Sequence, residues 1–335
     1  MLKSKFEKFL VFLKNKRIII TTHDLVDIDG FTSCYTLKFF LNQYFKNQKI
    51  SIYFSEISNP TKNFMEHFTL KFPEFMFSYE KEFKPSKVDV LLILDTNDLN
   101  QIKPDNNFDI SSLKIPYIFI DHHYVGEQSG NWNKNTLNLI LEEYSSTAEI
   151  IFNFFNFYDI ELPNPFKVLI IAAIIADSGF FKYGSNKTIQ NVNKLLSEDI
   201  NIQEILLLLK RDISISEKIA RIKGFQRVKL IRKGEYLIGI TNVNSFGAIV
   251  ASMLIKQGFD VAIVFSKEAD LYRLNTRAKK RVCIETGLHL GKILEGISDQ
   301  YEGSGGGHDG AAALSTKTDI ETIITQIIKK IKLFL

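Results

Sequence analysis

Asp121-His122-His123 follows the apolar run Pro116-Tyr117-Ile118-Phe119-Ile120 and precedes a Gly-containing loop. A β-rich hydrophobic run that stops on polar, metal-competent side chains reads as a buried strand with chemistry at its C-terminal end. Taken alone, the tripeptide fits a turn that starts a helix equally well. Other segments repeat the design, however. Arg17-Ile18-Ile19-Ile20-Thr21-Thr22 runs into His23, Asp27 and Asp29; Val88 to Leu94 ends on Asp95; an apolar helical run through Ala176 ends on Asp177.

Each piece has an ordinary reading. Asp29-Gly30 makes a turn, Asp95 caps a helix, Asp177-Ser178-Gly179 stops one, and a lone His23 is usually a satisfied histidine. Together, in chain order, they point to one site. Carboxylates crowded at a sheet edge repel, and a cation relieves that repulsion. His23, Asp27, Asp29, Asp95, His122 and Asp177 exceed what one structural zinc takes and suit two divalent cations sharing a carboxylate. The mixed carboxylate and imidazole donors favour Mn²⁺, with Mg²⁺ or Co²⁺ as substitutes. Two such ions about 4 Å apart lower the pKa of a bridging water and hold a phosphoryl group for in-line attack.

The elements that must position these groups follow from periodicity. An amphipathic helix over 2–15 opens the chain, with Leu2, Phe6, Phe9, Leu10 and Leu13 on one face. Arg17–Thr22, Ile50–Phe54, Val88–Leu94 and Ile115–Ile120 read as strands, with helices near Phe31 and Lys62–Phe68. Ser146–Tyr158 is helical, with Ser145, Ser146 and Thr147 as candidate caps, and Phe166–Ala176 is a buried helix after Pro163 and Pro165. The expected fold class is α/β: a doubly wound parallel sheet in an N-terminal domain, plus a smaller mixed α/β C-terminal domain. The boundaries are a catalytic domain at 1–187, a helical connector at 188–225 and a second domain at 226–335. The second domain carries strands at Val228–Ile231, Tyr236–Thr241, Asp260–Phe265 and Asp270–Asn275, a helix at Phe246–Lys256, and a last helix at Thr318–Leu333.

Composition narrows the setting. The chain of 335 residues is 45% hydrophobic and 24% charged, an ordinary globular balance. A net charge of +4 allows a phosphate-bearing partner without arguing for nucleic acid by itself. Cys34 and Cys283 make neither a disulfide framework nor a thiolate zinc site, and the Lys-rich start lacks a signal-peptide pattern. The longest apolar stretch, Val168 to Ala176, is about half the length a bilayer requires. A cytoplasmic protein without membrane contact is expected.

These motifs resemble the DHH phosphoesterases over nearly the whole chain. His23, Asp27, Asp29, Gly30 and Ser33 look like the family's first motif, Asp95 its second, Asp121-His122-His123 its third and Asp177-Ser178-Gly179 its fourth. Gly305-Gly306-Gly307-His308 is similar to the glycine-rich signature of the C-terminal DHH-associated domain in nanoRNase/pAp-phosphatase and RecJ-type members. The resemblance implies one Mn²⁺ on His23, Asp27 and Asp95, and another on Asp29, Asp95, His122 and Asp177, with Asp95 bridging. It places His123 near the scissile phosphate and Asp121 behind it as an orienting group. Val26 stands where many relatives have Pro, and Ser178 where Thr is common. The His23-to-Asp27 spacing and Phe180-Phe181-Lys182-Tyr183 look nanoRNase-like; RecJ-type motifs are usually shorter.

In the second domain, Gly303–Gly310 reads either as a flexible linker or as a nest of backbone amides that a phosphate approaches, with His308 as a donor. It is no Walker loop, since no Gly-Lys-Ser/Thr follows. Arg273, Arg277, Lys279, Lys280 and Arg281 are by default a solvated face, but Arg277 resembles the family's substrate-gripping arginine. The expected function is metal-dependent hydrolysis of short nucleotides: short oligoribonucleotides, linear dinucleotides or the 3′-phosphate of pAp. The competing readings are a RecJ-like single-strand exonuclease, a polyphosphate or pyrophosphate hydrolase, and a non-catalytic nucleotide-binding module. A homodimer is left open.

Overall fold

Mainly apolar runs build the first sheet. In this computed structural model, residues 2–46, 48–84, 88–104, 108, 110–125, 137–210, 212–268 and 270–335 are described. They divide into two units, Met1–Asp212 and Ile213–Leu335. The first unit opens with α1 (Leu2–Leu13), which buries Phe6, Phe9, Leu10 and Leu13. There follow β1 (Ile18–Thr22), α2 (Ile28–Phe45), β2 (Ile50–Ile52), α3 (Asn59–Lys71), β3 (Val90–Leu94), β4 (Tyr117–Asp121) and β5 (Leu139–Ile140). Then come α4 (Thr147–Tyr158), α5 (Asn164–Asp177), α6 (Asn186–Leu195) and α7 (Ile202–Leu208).

The strands are all parallel, in the order β2-β1-β3-β4-β5. The chain reverses its direction of winding between β1 and β3, and the crevice at such a switch point is where open α/β sheets bind ligands. On one face Ile18, Ile20, Val90, Leu92, Leu94, Ile118 and Ile120 pack with the apolar sides of α1, α2, α4 and α5. Helix α5 buries every residue from Val168 to Ile175, as a helix apolar on all sides must. Pro165 lies in its first turn, where a missing N–H costs nothing, so the helix starts slightly before Phe166. On the other face Ile19, Leu91, Ile93 and Phe119 pack on Tyr53, Phe83, Val88, Ile102 and Ile110.

Between β3 and β4 the described residues form 3₁₀ turns at Leu99–Gln101 and Ile110–Ser112 rather than an α-helix. Asp98 caps the first of them, its side chain accepting from the Asn100 backbone and side-chain amides. The Gly-containing loop expected after Asp121 falls largely on 126–136, outside the described residues.

The second unit comprises α8 (Ile215–Gln226), β6 (Lys229–Lys233), β7 (Tyr236–Asn242), α9 (Gly247–Lys256), β8 (Val261–Glu268) and β9 (Leu271–Ala278). It continues through α10 (Lys280–Thr286), α11 (Leu290–Ser298), β10 (Gly303–Gly307), β11 (Ala311–Thr316) and α12 (Ile320–Ile331). Its sheet is mixed, in the order β10-β11-β9-β8-β7-β6, with β7 and β8 parallel and the other neighbours antiparallel. The helices between 188 and 225 divide with the units: α6 and α7 belong to the first and α8 to the second.

The glycine-rich segment is neither linker nor loop through Gly307; it is the edge strand β10, paired with β11. A Cβ on Gly303 would stand 2.5 Å from Ser315 O, and one on Gly305 2.9 Å from Leu294 O in α11. Only bare backbone fits between β11 and that helix.

Candidate metal centre

The sheet delivers each group to the same edge. His23 follows β1 directly, and Asp95 follows β3. These two strands flank the switch point. Asp27 caps α2, accepting from Gly30 N at 3.0 Å, and Asp29 lies in the first turn of that helix. Asp121 ends β4, ahead of His122 and His123, and Asp177 ends α5.

Gly30 is where α2 meets β1. A Cβ there would stand 2.3 Å from Thr22 Oγ1, so Asp29-Gly30 is a close helix–strand contact and not a turn. Gly30→Ala is expected to cost about 1–3 kcal/mol of stability by overpacking. Because Asp27 and Asp29 ride on that helix, divalent-metal affinity should fall with it, and Thr22→Ala in the same chain should restore part of both. Denaturant unfolding and metal titration check this; wild-type values for Gly30→Ala would show that the contact does not set the helix.

The donors gather in two groups. His23 Nε2 lies 3.5 Å from Asp27 Oδ1 and 3.7 Å from Asp95 Oδ2. His122 Nε2 lies 3.0 Å from Asp177 Oδ2, 3.5 Å from Asp95 Oδ1 and 4.0 Å from Asp29 Oδ2. Asp95 faces both groups, one oxygen to each. Its backbone is left-handed, with φ of 59°, an uncommon state for a non-glycine residue and one found where a site fixes the chain.

The ring nitrogens are sorted for ligation. His23 Nδ1 sits 2.8 Å from Asp24 O, and a carbonyl only accepts, so Nδ1 carries the hydrogen and Nε2 is turned to the carboxylates. His122 Nε2 is buried and, among the described residues, has no hydrogen-bond partner of standard geometry although Asp177 Oδ2 lies 3.0 Å away. A buried ring nitrogen that points into carboxylates without bonding them is what a cation-binding pocket presents. His123 differs: its Nδ1 donates to Asp121 Oδ1 at 2.8 Å, and 54% of its side chain is exposed. Asp121 Oδ1 also accepts from His122 N at 2.8 Å, so one buried carboxylate orients both histidines.

Helix α4 supplies groups that the sequence reading took only as helix caps. Its first amides, Thr147 N and Ala148 N, donate to Asp29 Oδ2 and Oδ1 at 2.6 and 3.0 Å. Thr147 Oγ1 donates to Asp95 Oδ1 at 3.1 Å. Ser146 is the capping residue of the three serine and threonine candidates. The positive end of the helix thus steadies two buried carboxylates. The Ser145-Ser146-Thr147 run was the available signal, but nothing in it names Asp29 as a partner. Asn97 Nδ2 donates to His123 O at 3.2 Å and tethers the loop from behind.

Burial sets the protonation. It raises the Asp29 carboxyl well above the ordinary range, with the charges of Asp95 and Asp177 adding to the effect. Burial alone would lower His23 and His122, yet contacts with Asp27 and Asp95, and with Asp177 and Asp95, push each up to about 11. Burial works against an ionised Asp95 too, but His122 and His23 hold its carboxyl well below the usual range. Without a cation, imidazole protons therefore balance the carboxylates. The donor set fits divalent cations: carboxylate and imidazole atoms within 4.8 Å of one another fall into the groups His23–Asp27–Asp95, Asp29–His122–Asp177 and Asp95–Asp121–His122–His123.

In the second unit, Arg277 lies on β9 opposite Ala311 of β11, whose Ala312 pairs with Gly307 of β10. Arg277 and the glycines Gly305, Gly306 and Gly307 thus lie on β9 and β10, which flank β11, with Arg277 and His308, just past β10, at the same end of the sheet. Gly306 differs from its neighbours in that a Cβ there would meet nothing within 4 Å. His308 N donates to Ala311 O at 2.8 Å, which closes the turn.

No described helix is long and apolar enough to cross a membrane. A profile of the DHH family, N-terminal domain, matches residues 17–176, and one of the DHHA1 domain matches residues 239–335. An uncharacterized protein of Methanocaldococcus jannaschii is 28% identical over 324 residues, 97% of this chain and 94% of that protein. An exopolyphosphatase-related protein from Bacteroides fragilis has a similar fold, with a TM-score of 0.61 at 17% identity over 99% of this chain and 96% of its own. So does exonuclease RecJ bound to manganese, with a TM-score of 0.50 at 13% identity over 99% of this chain and 94% of its own.

Proposed function

The chain belongs to the DHH family, whose members are phosphoester hydrolases, and from that membership we propose that it is a two-metal phosphoesterase acting on short nucleotides. The observation that carries the reading is Asp95, whose two oxygens face two separate donor groups. His23, Asp27 and Asp95 would hold one cation, and Asp29, Asp95, His122 and Asp177 the other. Manganese suits this mixed donor set, and it is the ion named in the RecJ structure of similar fold. Bound there, the cations would lower the pKa of a water and neutralise charge developing on a phosphoryl group.

The chain's own groups do the rest. Asp29, locked by the α4 amides, and Asp95, held by Thr147, keep their lone pairs aimed. Asp121 holds His123 through Nδ1 and favours its imidazolium form, so the second proton, on Nε2, is available to donate to a substrate phosphate or to pass to a leaving oxygen.

The second unit has a surface of its own that suits a nucleotide or a phosphate. Directly opposed residues of a sheet share a face, so Arg277, Ala311, Ala313 and Gly306 lie on one side of β9, β11 and β10. A floor of alanine and glycine beside a guanidinium admits a flat ring or a phosphate closely. Its protruding neighbour is His308. This small-residue floor favours a short nucleotide over a long strand, for which a basic groove lined with aromatic rings is the usual device.

A Mn²⁺-dependent hydrolysis panel tests the reading. It compares pAp, di- to pentaribonucleotides, long single-stranded DNA, cyclic dinucleotides and polyphosphate. Turnover of pAp or the short ribonucleotides is expected. Activity confined to long DNA or to polyphosphate would overturn the substrate class, and nucleotide binding without any product would mark a non-catalytic module.

A further inference from the structure

We infer that the groove beside Phe180, in the first unit, is a nucleobase subsite that gives this phosphoesterase its preference for nucleotides over inorganic phosphates. The inference rests on the hydrolytic reading above.

Phe180 lies three residues past Asp177, and its backbone is left-handed with φ of 58°, between Gly179 at 59° and Phe181 at 66°. Consecutive bulky residues in this region are strained. The turn is pinned: Phe180 N donates to Ile175 O at 2.8 Å, Phe181 N to Ser178 Oγ at 3.0 Å, and Tyr183 N to Ser178 O at 2.9 Å. Phe181 packs on the core, whereas Phe180 is 60% exposed. Strain and exposure are both unfavourable, and the chain accepts both beside a candidate metal ligand. Among the described non-glycine residues with left-handed backbone, the large exposed hydrophobics are Phe180 and Leu25, the latter 53% exposed. Leu25 lies two residues past His23, so each follows a candidate donor closely in the chain.

Phe180 also lines a groove of about 520 Å³ with Gln203, Leu206, Leu207, Leu209 and Lys210. The chemistry is mixed in a particular way. An exposed ring and leucines match the faces of a base, the Gln203 amide can both donate to and accept from its edge, and Lys210 complements a phosphate. Inorganic polyphosphate has no apolar surface to place there. Stacking on aromatic side chains is sequence-tolerant, so the subsite selects for a base without selecting which one.

The test uses the full-length chain with Mn²⁺ and two diesters, a linear diribonucleotide and the same diester lacking both bases, with polyphosphate as a third substrate. The readout is the ratio of the two diesters' kcat/KM values. Phe180→Gly removes the ring and relaxes the backbone, and it should cut the ratio by about 5- to 100-fold, mainly through KM. Phe180→Trp should keep the preference, and Leu207→Glu, on α7, should lower it independently. Met76→Ala, 85% exposed elsewhere in the unit, should leave the ratio unchanged. An unchanged ratio in Phe180→Gly overturns the subsite, as does an equal loss on both diesters, which would make the ring a prop for Asp177. Wild-type cleavage of polyphosphate but of neither diester removes the subsite and leaves hydrolysis standing; no hydrolysis of any substrate removes both.

Discussion

Asp95→Ala should lower Mn²⁺-dependent hydrolysis by about 10²- to 10³-fold, the scale seen when one preorganised electrostatic group is deleted. Its position explains why the effect should exceed that of its neighbours. The Asp95 side chain stands 3.7 Å from His23 Nε2 through one oxygen and 3.5 Å from His122 Nε2 through the other. Removing it takes a donor from both groups at once, whereas losing Asp27 or Asp177 touches one. Asp95→Asn keeps the shape and leaves an oxygen for the Thr147 hydroxyl to donate to, but discards the charge. It should therefore fold like wild type and still fail to hold two ions. Metal content by mass spectrometry and kcat/KM on the best substrate of the panel check this together. Two retained ions with intact turnover in Asp95→Ala would show that the carboxylate is not shared.

The residues that could ligate were legible because strands and ligands follow simple rules. An apolar β-branched run such as Ile18–Ile20 can hardly be anything but a buried strand, and a parallel sheet sends its C-terminal ends to one edge. Four chain segments ending on Asp or His therefore foretold one crevice, and the structure brings all six donor residues there. What the sequence concealed is how they are held. That Thr147 and Ala148 amides should seize Asp29 depends on where α4 begins in space, 118 residues further along the chain. Asp121 was expected to stand behind the histidines, but the bond from His123 to its Oδ1 is a fact of side-chain geometry. The glycine-rich segment misled for a different reason. Composition alone suggests flexibility or a loop, yet Gly303 and Gly305 are bare because β11 and α11 leave no room for a Cβ. Steric demand and conformational freedom select the same residue, and only the packing partner tells them apart.

Metal affinity should climb steeply with pH, at about tenfold or more per unit for each ion between about pH 6 and 8. The sign follows from the metal-free site. An unfolded histidine titrates near 6.5, whereas His23 and His122 are pushed up to about 11 among their carboxylates. Their protonated forms stabilise the metal-free fold fully below about pH 6.5, and that contribution is lost only as pH rises through about 11. A cation needs both Nε2 atoms bare. Across the neutral range each ion must therefore displace an imidazole proton, and binding tightens as protons become scarcer. The group containing Asp29 should be the steeper, because burial holds that carboxyl well above its ordinary range and adds a proton to the exchange. Calorimetric titration in two buffers of different ionisation heat counts the protons released. A count near zero would mean that the imidazoles are already bare and that the carboxylates are balanced another way. The same linkage fixes what chelation does. An ion present at about 100 times its dissociation constant adds about 2.7 kcal/mol to the folded state, so stripping the metal should lower the melting temperature, and the drop should be larger at pH 8 than at pH 6. A pH-independent drop would assign that stabilisation to a cation held outside the His23 and His122 groups.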